Sequence, residues 1–192
     1  MLNEQAVQDI VKEVVAKLNL TDAGTETGMG IFTDMNEAIA AAKKAQAVLR
    51  RMSMDQREKI ISSIRKKTSE NAETLARMGV DETGMGNVGH KILKHRLVAE
   101  KTPGTEDITT TAWSGDRGLT LVEMGPFGVI GAITPCTNPS ETIICNSIGM
   151  IAGGNTVVFN PHPAPIKTSN YAVRMINPAC VEAGGPANVA CS

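Results

Sequence analysis

The sequence predicts an α/β protein in which N-terminal helices precede part of a parallel β-sheet domain. Residues 31–111 place apolar side chains at the helical period, and from residue 112 short β-rich stretches alternate with helical ones. The resulting order of strand, helix, strand, helix and strand favours parallel strands joined by right-handed crossovers. We therefore divide this part of the chain into a helical layer, 31–111, and a partial α/β domain, 112–192.

The first twenty residues are predicted to form a separate amphipathic helix. Its apolar side chains recur at helical spacing on one face: Val7, Ile10, Val11, Val14 and Leu18. Residues 21–30 are rich in glycine and threonine and have little to bury, which predicts a flexible linker. A tethered helix with an apolar stripe is typical of an element that docks on a partner. The alternative is that it folds back onto its own domain or oligomer.

Three helical patterns follow between residues 33 and 84. Thr33 or Asp34 is the predicted cap of the first, with Glu37 at the capping-box position. The next two bury an apolar set at helical spacing: Ile60, Ile61, Ile64, Leu75 and Met78. The basic runs RKK (65–67) and KILKHR (91–96) are interpreted as solvated helix faces.

The stretch GMGNVG (84–89) matches G-x-G-x-x-G, the pattern of a dinucleotide-binding loop. That loop must follow a strand and open a helix, because the helix N-terminus holds the phosphates. Here the preceding residues have a helical pattern, so the stretch is predicted to be a helix end or a turn between helices.

The α/β domain is predicted from residue 112 onwards. LTLVE is a strand, GPFG a turn, and VIGAI a buried strand that ends at Thr134. A helix begins near Ser140 and ends at Gly153, a further strand is stopped by Pro161, and a last helix leads to a strand at ANVACS. Ligands bind at the carboxyl ends of parallel strands. The polar clusters TPCTNP (134–139) and NPHP (160–163) both fall there.

The composition narrows the classes of partner. Lys plus Arg number 19 against 20 Asp plus Glu, and a net charge of −1 gives no basic field for nucleic acid. No apolar run approaches the roughly 18 residues that span a bilayer, and no signal sequence is recognisable, so we expect a cytoplasmic protein. The four cysteines form no C-x-x-C pair and have no histidine at ligand spacing. This predicts reduced thiols and no metal site.

Cys136 in the first polar cluster is a candidate nucleophile. A catalytic thiol needs a helix N-terminus, a histidine or a cation to lower its pKa, and only the helix lies nearby in sequence. The alternative is a structural turn in which Thr137 and Asn138 are the functional groups, as donors to a developing oxyanion. His162 in the second cluster either contacts a ribose or phosphate or faces solvent.

Residues 125–169, together with ETGMGN (82–87) and TPGTED (102–107), resemble the aldehyde dehydrogenase superfamily. More narrowly, they are similar to the coenzyme A-acylating aldehyde dehydrogenases of bacterial microcompartments, the ethanolamine and propanediol utilisation type. The resemblance implies a Rossmann-like NAD-binding domain. It also implies that a cysteine thiolate attacks a short aldehyde, acetaldehyde or propionaldehyde, that hydride passes to NAD and that coenzyme A accepts the acyl group. Residues 1–20 resemble encapsulation peptides, which implies a shell protein as partner and a place inside a microcompartment. The full-length protein is expected to be a homo-oligomer.

The same resemblance assigns the site residues. It implies that four residues at the first strand exit line the cofactor and acyl site: Ile133, Thr134, Pro135 and Cys136. The superfamily motif P-W-N-x-P reads P-C-T-N-P here, so Thr137 stands in the place of the oxyanion-hole asparagine and Asn138 follows it; both remain candidates. The superfamily's ribose-binding K-P-x-E is matched by a second group: Asn160, Pro161, His162 and Pro163. This change implies altered adenosine binding and shared use by coenzyme A.

The superfamily's nucleophilic cysteine is expected beyond Ser192. We therefore expect an N-terminal part of such an enzyme, inactive alone. Two alternatives come from other classes. One is a non-catalytic assembly module that docks to a shell through residues 1–20, and the other is a small thiol enzyme that uses Cys136 with a histidine.

Overall fold

The computed structural model describes residues 29–192, so the predicted helix 1–20 and most of the linker 21–30 lie outside the described residues. Its helices are α1 (Met35–Leu49), α2 (Met54–Glu70), α3 (Ala72–Thr83), α4 (Val88–Lys101), a 3-10 turn (Thr105–Asp107), α5 (Pro139–Ala152) and α6 (Ile166–Glu182). Its strands are β1 (Thr111–Gly115), β2 (Gly118–Val122), β3 (Val129–Thr134), β4 (Thr156–Pro161) and β5 (Ala190–Cys191). The α/β class and the helices-first order are confirmed.

Side chains at the starts of α1 and α2 satisfy free backbone donors there. The Asp34 carboxylate caps α1 by accepting from the N–H groups of Asn36 and Glu37, at 2.8 and 3.0 Å. The reciprocal capping box occurs one helix later, at α2, where Ser53 and Gln56 bond each other's backbone N–H. Glu37 contributes only its backbone at the first cap.

The GMGNVG stretch connects α3 to α4, as the sequence predicts. Gly84 ends α3 in the left-handed region, at φ 64°, which a glycine adopts without strain. Asn87 begins α4 by accepting the N–H of His90 at 3.3 Å. Because this turn follows a helix and not a strand, it lacks the structural context of a dinucleotide-binding loop.

The N-terminus of α6 is capped from another helix. Pro165 stands at the N-cap and makes no side-chain cap hydrogen bond. Glu82 of α3 takes that place: its carboxylate accepts from the N–H of Lys167 at 3.1 Å and from the N–H and hydroxyl of Thr168 at 2.7 and 2.6 Å. The negative charge also complements the helix dipole. This contact joins α3 to α6.

Strands β3, β4 and β5 form a parallel sheet in that order, which confirms the predicted parallel pairing. The register runs from Val129 opposite Thr156 to Thr134 opposite Pro161, and Val157 lies opposite Ala190. Beyond β5, the N–H of Ser192 donates to the carbonyl of Gly30 at 2.8 Å, and the N–H of Phe32 donates to the carbonyl of Ser192 at 2.9 Å. The start and the end of the described chain therefore meet.

Strands β1 and β2 form a separate antiparallel hairpin, with Trp113 opposite Thr120. The sequence predicts β2 but not β1. All ten residues of the two strands are exposed. In the sequence, β2 alternates apolar and polar residues at Leu119, Thr120 and Leu121, whereas TAWSG in β1 shows no such alternation.

Helices cover both faces of the sheet. On one face α1 packs Ala38 and Ala42 against Val158. On the other, α5 packs against β4 and α6 against β5, and both helices meet α2. The largest fully buried side chains of this core include Ile60, Ile61, Ile143, Ile148, Phe159 and Ile176. Fully burying one such side chain stabilises the fold by about 1.5–3 kcal/mol.

The prediction that β3 is a buried strand is wrong. Five of its six residues are half-buried or exposed, and the side chain of Ile133 is 87% exposed. The reason is position: β4 lies between its two neighbours and receives the helices, whereas β3 is paired on one side within the described sheet.

Among residues 29–192, no helix combines the length and apolar character that crossing a membrane requires. Over the same range, no three His, Cys, Asp or Glu side chains are grouped so as to hold a metal ion.

Candidate functional site

The two polar clusters meet at the carboxyl edge of the sheet. β3 ends at Thr134 and β4 at Pro161, directly opposite each other. The N–H of His162 then donates to the carbonyl of Thr134 at 3.2 Å. The two clusters thus form one surface, which we call the strand-end site: residues 133–138 and 160–163.

The strand-end site is open and carries no formal charge when His162 is neutral. The exposed residues are Ile133, Pro135, Thr137, Asn160, His162 and Pro163, and the half-buried ones are Cys136, Asn138 and Pro161. Thr134 is 2% exposed, and its hydroxyl has no hydrogen-bond partner among the described residues. An exposed surface of amides, hydroxyls and one imidazole suits a neutral polar ligand or the sugar part of a nucleotide.

The ring of His162 is held by its own turn. Its Nδ1 accepts the backbone N–H of Ala164 at 3.1 Å, so a neutral ring carries its proton on Nε2. The Nε2–H is then available as an outward donor at the site.

Two lysines of α4 hold the turn that begins α5. Lys91 Nζ donates to the carbonyl of Thr137 at 2.8 Å, and Lys94 Nζ donates to Asn138 Oδ1, also at 2.8 Å. Both residues that the sequence offers as oxyanion donors are therefore fixed from α4. Neither lysine is among the site residues that the sequence predicts.

The first lysine belongs to a buried ion pair. Lys91 Nζ lies 3.0 Å from Glu141 Oε1, and the two side chains are 7% and 4% exposed. The interpretation of KILKHR as a solvated face is wrong for Lys91 and His95, because these residues are four apart and share the face of α4 that packs on α5. That spacing, with Ser140 and Glu141 on the next helix, is the signal that could have indicated the cluster.

His95 completes this cluster and is fully buried. Its Nδ1 lies 2.8 Å from the carbonyl of Lys91 and its Nε2 2.8 Å from the hydroxyl of Ser140. Burial lowers the pKa of His95, although the charge of Glu141 acts in the opposite direction. In the neutral ring Nδ1–H donates to the carbonyl, and Nε2 accepts from Ser140.

The cysteines fall into two groups. Cys180 and Cys191 are buried, and desolvation raises the pKa of each thiol to about 12. Cys145 is exposed and Cys136 half-buried. Within residues 29–192 no histidine forms a hydrogen bond to Cys136 Sγ, and His95 and His162 bond other groups.

Comparison with known proteins gives one consistent result. Residues 20–191 match the model of the aldehyde dehydrogenase family. The acetaldehyde dehydrogenase (acetylating) EutE of Salmonella typhimurium is 43% identical over 190 residues, which are 98% of this chain and 40% of that protein.

Solved structures agree in sequence and shape. A propionaldehyde dehydrogenase from the Clostridium phytofermentans fucose utilisation bacterial microcompartment is 82% identical, with a TM-score of 0.84 over 86% of this chain and 38% of that chain. The Rhodopseudomonas palustris propionaldehyde dehydrogenase, solved with bound coenzyme A and an acylated cysteine, is 51% identical with a TM-score of 0.82, over 86% of this chain and 38% of its own. The chain thus spans about two fifths of the length of the relatives it matches, 40% of the first.

Proposed function

Because the chain belongs to the aldehyde dehydrogenase family, we propose that the full-length protein oxidises a short-chain aldehyde to its acyl-coenzyme A. The substrate is acetaldehyde or propionaldehyde, and NAD is the oxidant. The observation that carries the proposal is the strand-end site, where TPCTNP and NPHP form one open surface at the carboxyl edge of a parallel sheet. The names of the acetylating and propionaldehyde-oxidising relatives support this substrate class.

The chain's own residues supply the binding surface. Ile133, Thr134, Pro135 and Cys136 line the nicotinamide and acyl side, and the second group contacts the adenosine part of NAD or coenzyme A: Asn160, Pro161, His162 and Pro163. The Nε2–H of the exposed His162 fits a polar cofactor. When bound, NAD supplies the hydride acceptor and coenzyme A the acyl acceptor.

Thr137 and Asn138 are the two candidate donors to the aldehyde oxygen. Attack on the carbonyl carbon places negative charge on that oxygen, and a donor fixed beforehand lowers the barrier to attack. Their turn is tied to α4 by two hydrogen bonds from lysines, which restricts its movement.

Cys136 lines the site and is not the nucleophile. The motif match puts it in the place of a tryptophan, and it has no histidine to act as base among the described residues. The attacking cysteine is expected beyond Ser192.

The test is an assay of NADH formation that requires both aldehyde and coenzyme A. The full-length protein should turn over, Cys136→Ala should retain most of that activity, and the 192-residue chain should be inactive. A full-length protein without coenzyme A-dependent turnover contradicts the proposed function. Turnover by the short chain would instead contradict the assignment of the nucleophile to a later segment.

A second candidate function is assembly. Residues 1–20 carry an apolar stripe, and one close relative comes from a bacterial microcompartment. We propose that this helix docks the protein on a shell protein inside a microcompartment. Capture of shell protein by the full-length chain should be lost when residues 1–20 are deleted, and unchanged capture would exclude the helix as the adaptor.

The hairpin of β1 and β2 supports a homo-oligomer. It exposes large apolar side chains on both faces: Trp113 on one, at 58%, and Leu119 and Leu121 on the other, at 65% and 59%. A surface of this kind is typical of a contact between subunits. Sedimentation of the full-length protein should give a multiple of the monomer mass, and a monomer would contradict the proposal.

A further inference from the structure

Asn138 stands at the start of α5, but its side chain does not cap that helix. It is the N-cap residue of α5, at φ −138° and ψ 64°, and its side chain makes no cap hydrogen bond. An asparagine at this position usually turns its amide oxygen onto the N–H groups of the first helical turn. Here Oδ1 accepts from Lys94 Nζ at 2.8 Å instead.

This contact sets the orientation of the amide. An ammonium group has three donors and no acceptor, so the amide atom that faces Lys94 must be the oxygen. The Nδ2 group then points away from the lysine, and it donates no hydrogen bond to any of residues 29–192. Asn138 therefore presents a free pair of N–H donors in a fixed direction.

Thr137, the other candidate donor, has no contact within residues 29–192 that fixes the direction of its hydroxyl. The carbonyl of Thr137 is held by Lys91, but the exposed Thr137 hydroxyl has no partner in the part of the chain that the structure describes. A hydroxyl rotates freely, whereas transition-state stabilisation depends on donors that need no reorganisation when charge develops.

We propose that Lys94 is a positioning residue, which holds Asn138 so that Nδ2, and not the Thr137 hydroxyl, donates to the aldehyde oxygen as it becomes an oxyanion. The inference rests on the proposed function and deepens it. Lys94 touches neither the aldehyde nor the cofactor. Its effect passes through the Asn138 amide.

The test is a double-mutant cycle in the full-length protein, read as kcat and KM for aldehyde, NAD and coenzyme A. Asn138→Ala should lower kcat by about a hundredfold or more, and Thr137→Val by much less. Lys94→Met should lower kcat about tenfold in the parent and less than about twofold when combined with Asn138→Ala, because the two act as one unit. With Thr137→Val the effect of Lys94→Met should be fully retained.

Two further variants separate positioning from general damage. Lys94→Arg keeps a donor and should restore most of kcat, and Lys101→Met removes an exposed lysine from the same helix and should leave kcat unchanged. Additive effects of Lys94→Met and Asn138→Ala, or a larger loss from Thr137→Val than from Asn138→Ala, would overturn the proposal.

A crystal structure of the Lys94→Met full-length protein tests the inference without any assay. Without the lysine, the Asn138 amide should rotate so that its oxygen caps α5. An amide orientation that does not change would overturn the positioning role of Lys94, whatever the activity of the variant. If the amide turns but the parent protein oxidises no short aldehyde, the positioning contact stands and the proposed function fails.

Discussion

The buried ammonium of Lys91 lies 3.0 Å from the carboxylate of Glu141. The same nitrogen donates to the carbonyl of Thr137 at 2.8 Å. One charged group therefore joins α4 to α5 and fixes the turn at the exit of β3. Stability of the fold and geometry of the strand-end site depend on the same contact.

Removing that ammonium should be strongly destabilising. Lys91→Met leaves the Glu141 carboxylate buried without its partner, and we expect a loss of about 3–5 kcal/mol in the free energy of unfolding. Urea unfolding of the full-length protein measures this. Lys91→Met combined with Glu141→Leu should recover much of the loss, since no buried charge remains. A single variant as stable as the parent would show that the pair contributes little.

We expect the hydrogen bonds from Glu82 to stabilise the N-terminus of α6 rather than α3, the helix to which Glu82 belongs. Glu82→Ala removes three hydrogen bonds at the α6 N-terminus, and we expect a loss of about 1–3 kcal/mol in the free energy of unfolding. Asp81→Ala is the matched control, because its exposed carboxylate in the last turn of α3 opposes the helix dipole. This control should be neutral or slightly stabilising. Equal losses in the two variants would contradict the tertiary cap.

The fold should lose stability in mild acid through His95. Burial lowers the pKa of His95 in the folded protein, so the unfolded chain takes up a proton first as the pH falls through about 6.5. The contribution of the neutral His95 ring to the free energy of unfolding is fully present above that pH. It is lost progressively as the pH falls from there to the lowered pKa of His95 in the folded protein. The facing groups are Lys91, Lys94, Ser140 and Glu141.

The measurement is the urea midpoint between pH 5 and pH 8. The decrease in the urea midpoint below about pH 6.5 should be smaller in His95→Gln than in the parent. His90 is an exposed histidine of the same helix, and His90→Gln should show the same decrease as the parent. An identical pH profile in the parent and His95→Gln proteins would exclude His95 as the source.

Alkylation should divide the cysteines by burial. At pH 8 iodoacetamide should label Cys145 and Cys136 in the native protein, while Cys180 and Cys191 react only after unfolding, because burial raises the pKa of both thiols to about 12. Mass spectrometry of tryptic peptides gives the rates. A Cys136 that reacts far faster than Cys145 would revive the hypothesis of a thiol enzyme.

The structural features that can be predicted from the sequence are those that depend on residues close together along the chain. The helix pattern, the glycine end of α3 and the alternation of strands and helices are local, and they suffice to bring residues 134–139 and 160–163 to one edge. The burial of Lys91 is not local, because it depends on Glu141, 50 positions later. The exposure of Ile133 likewise depends on the place of β3 in the sheet. Hence the outline of the site could be predicted, and the lysines that hold it could not.

The contact between Gly30, Phe32 and Ser192 has a consequence for synthesis on the ribosome. The backbone groups of residues 30–32 pair with a residue that is translated roughly 160 positions later, which takes about 10–30 s at typical elongation rates. Over that interval α1 can form, but residues 30–32, which precede it, lack their backbone partner Ser192. Docking of the start of the chain must therefore be a late event, and the nascent protein depends on α2 to α6 for its first compact state.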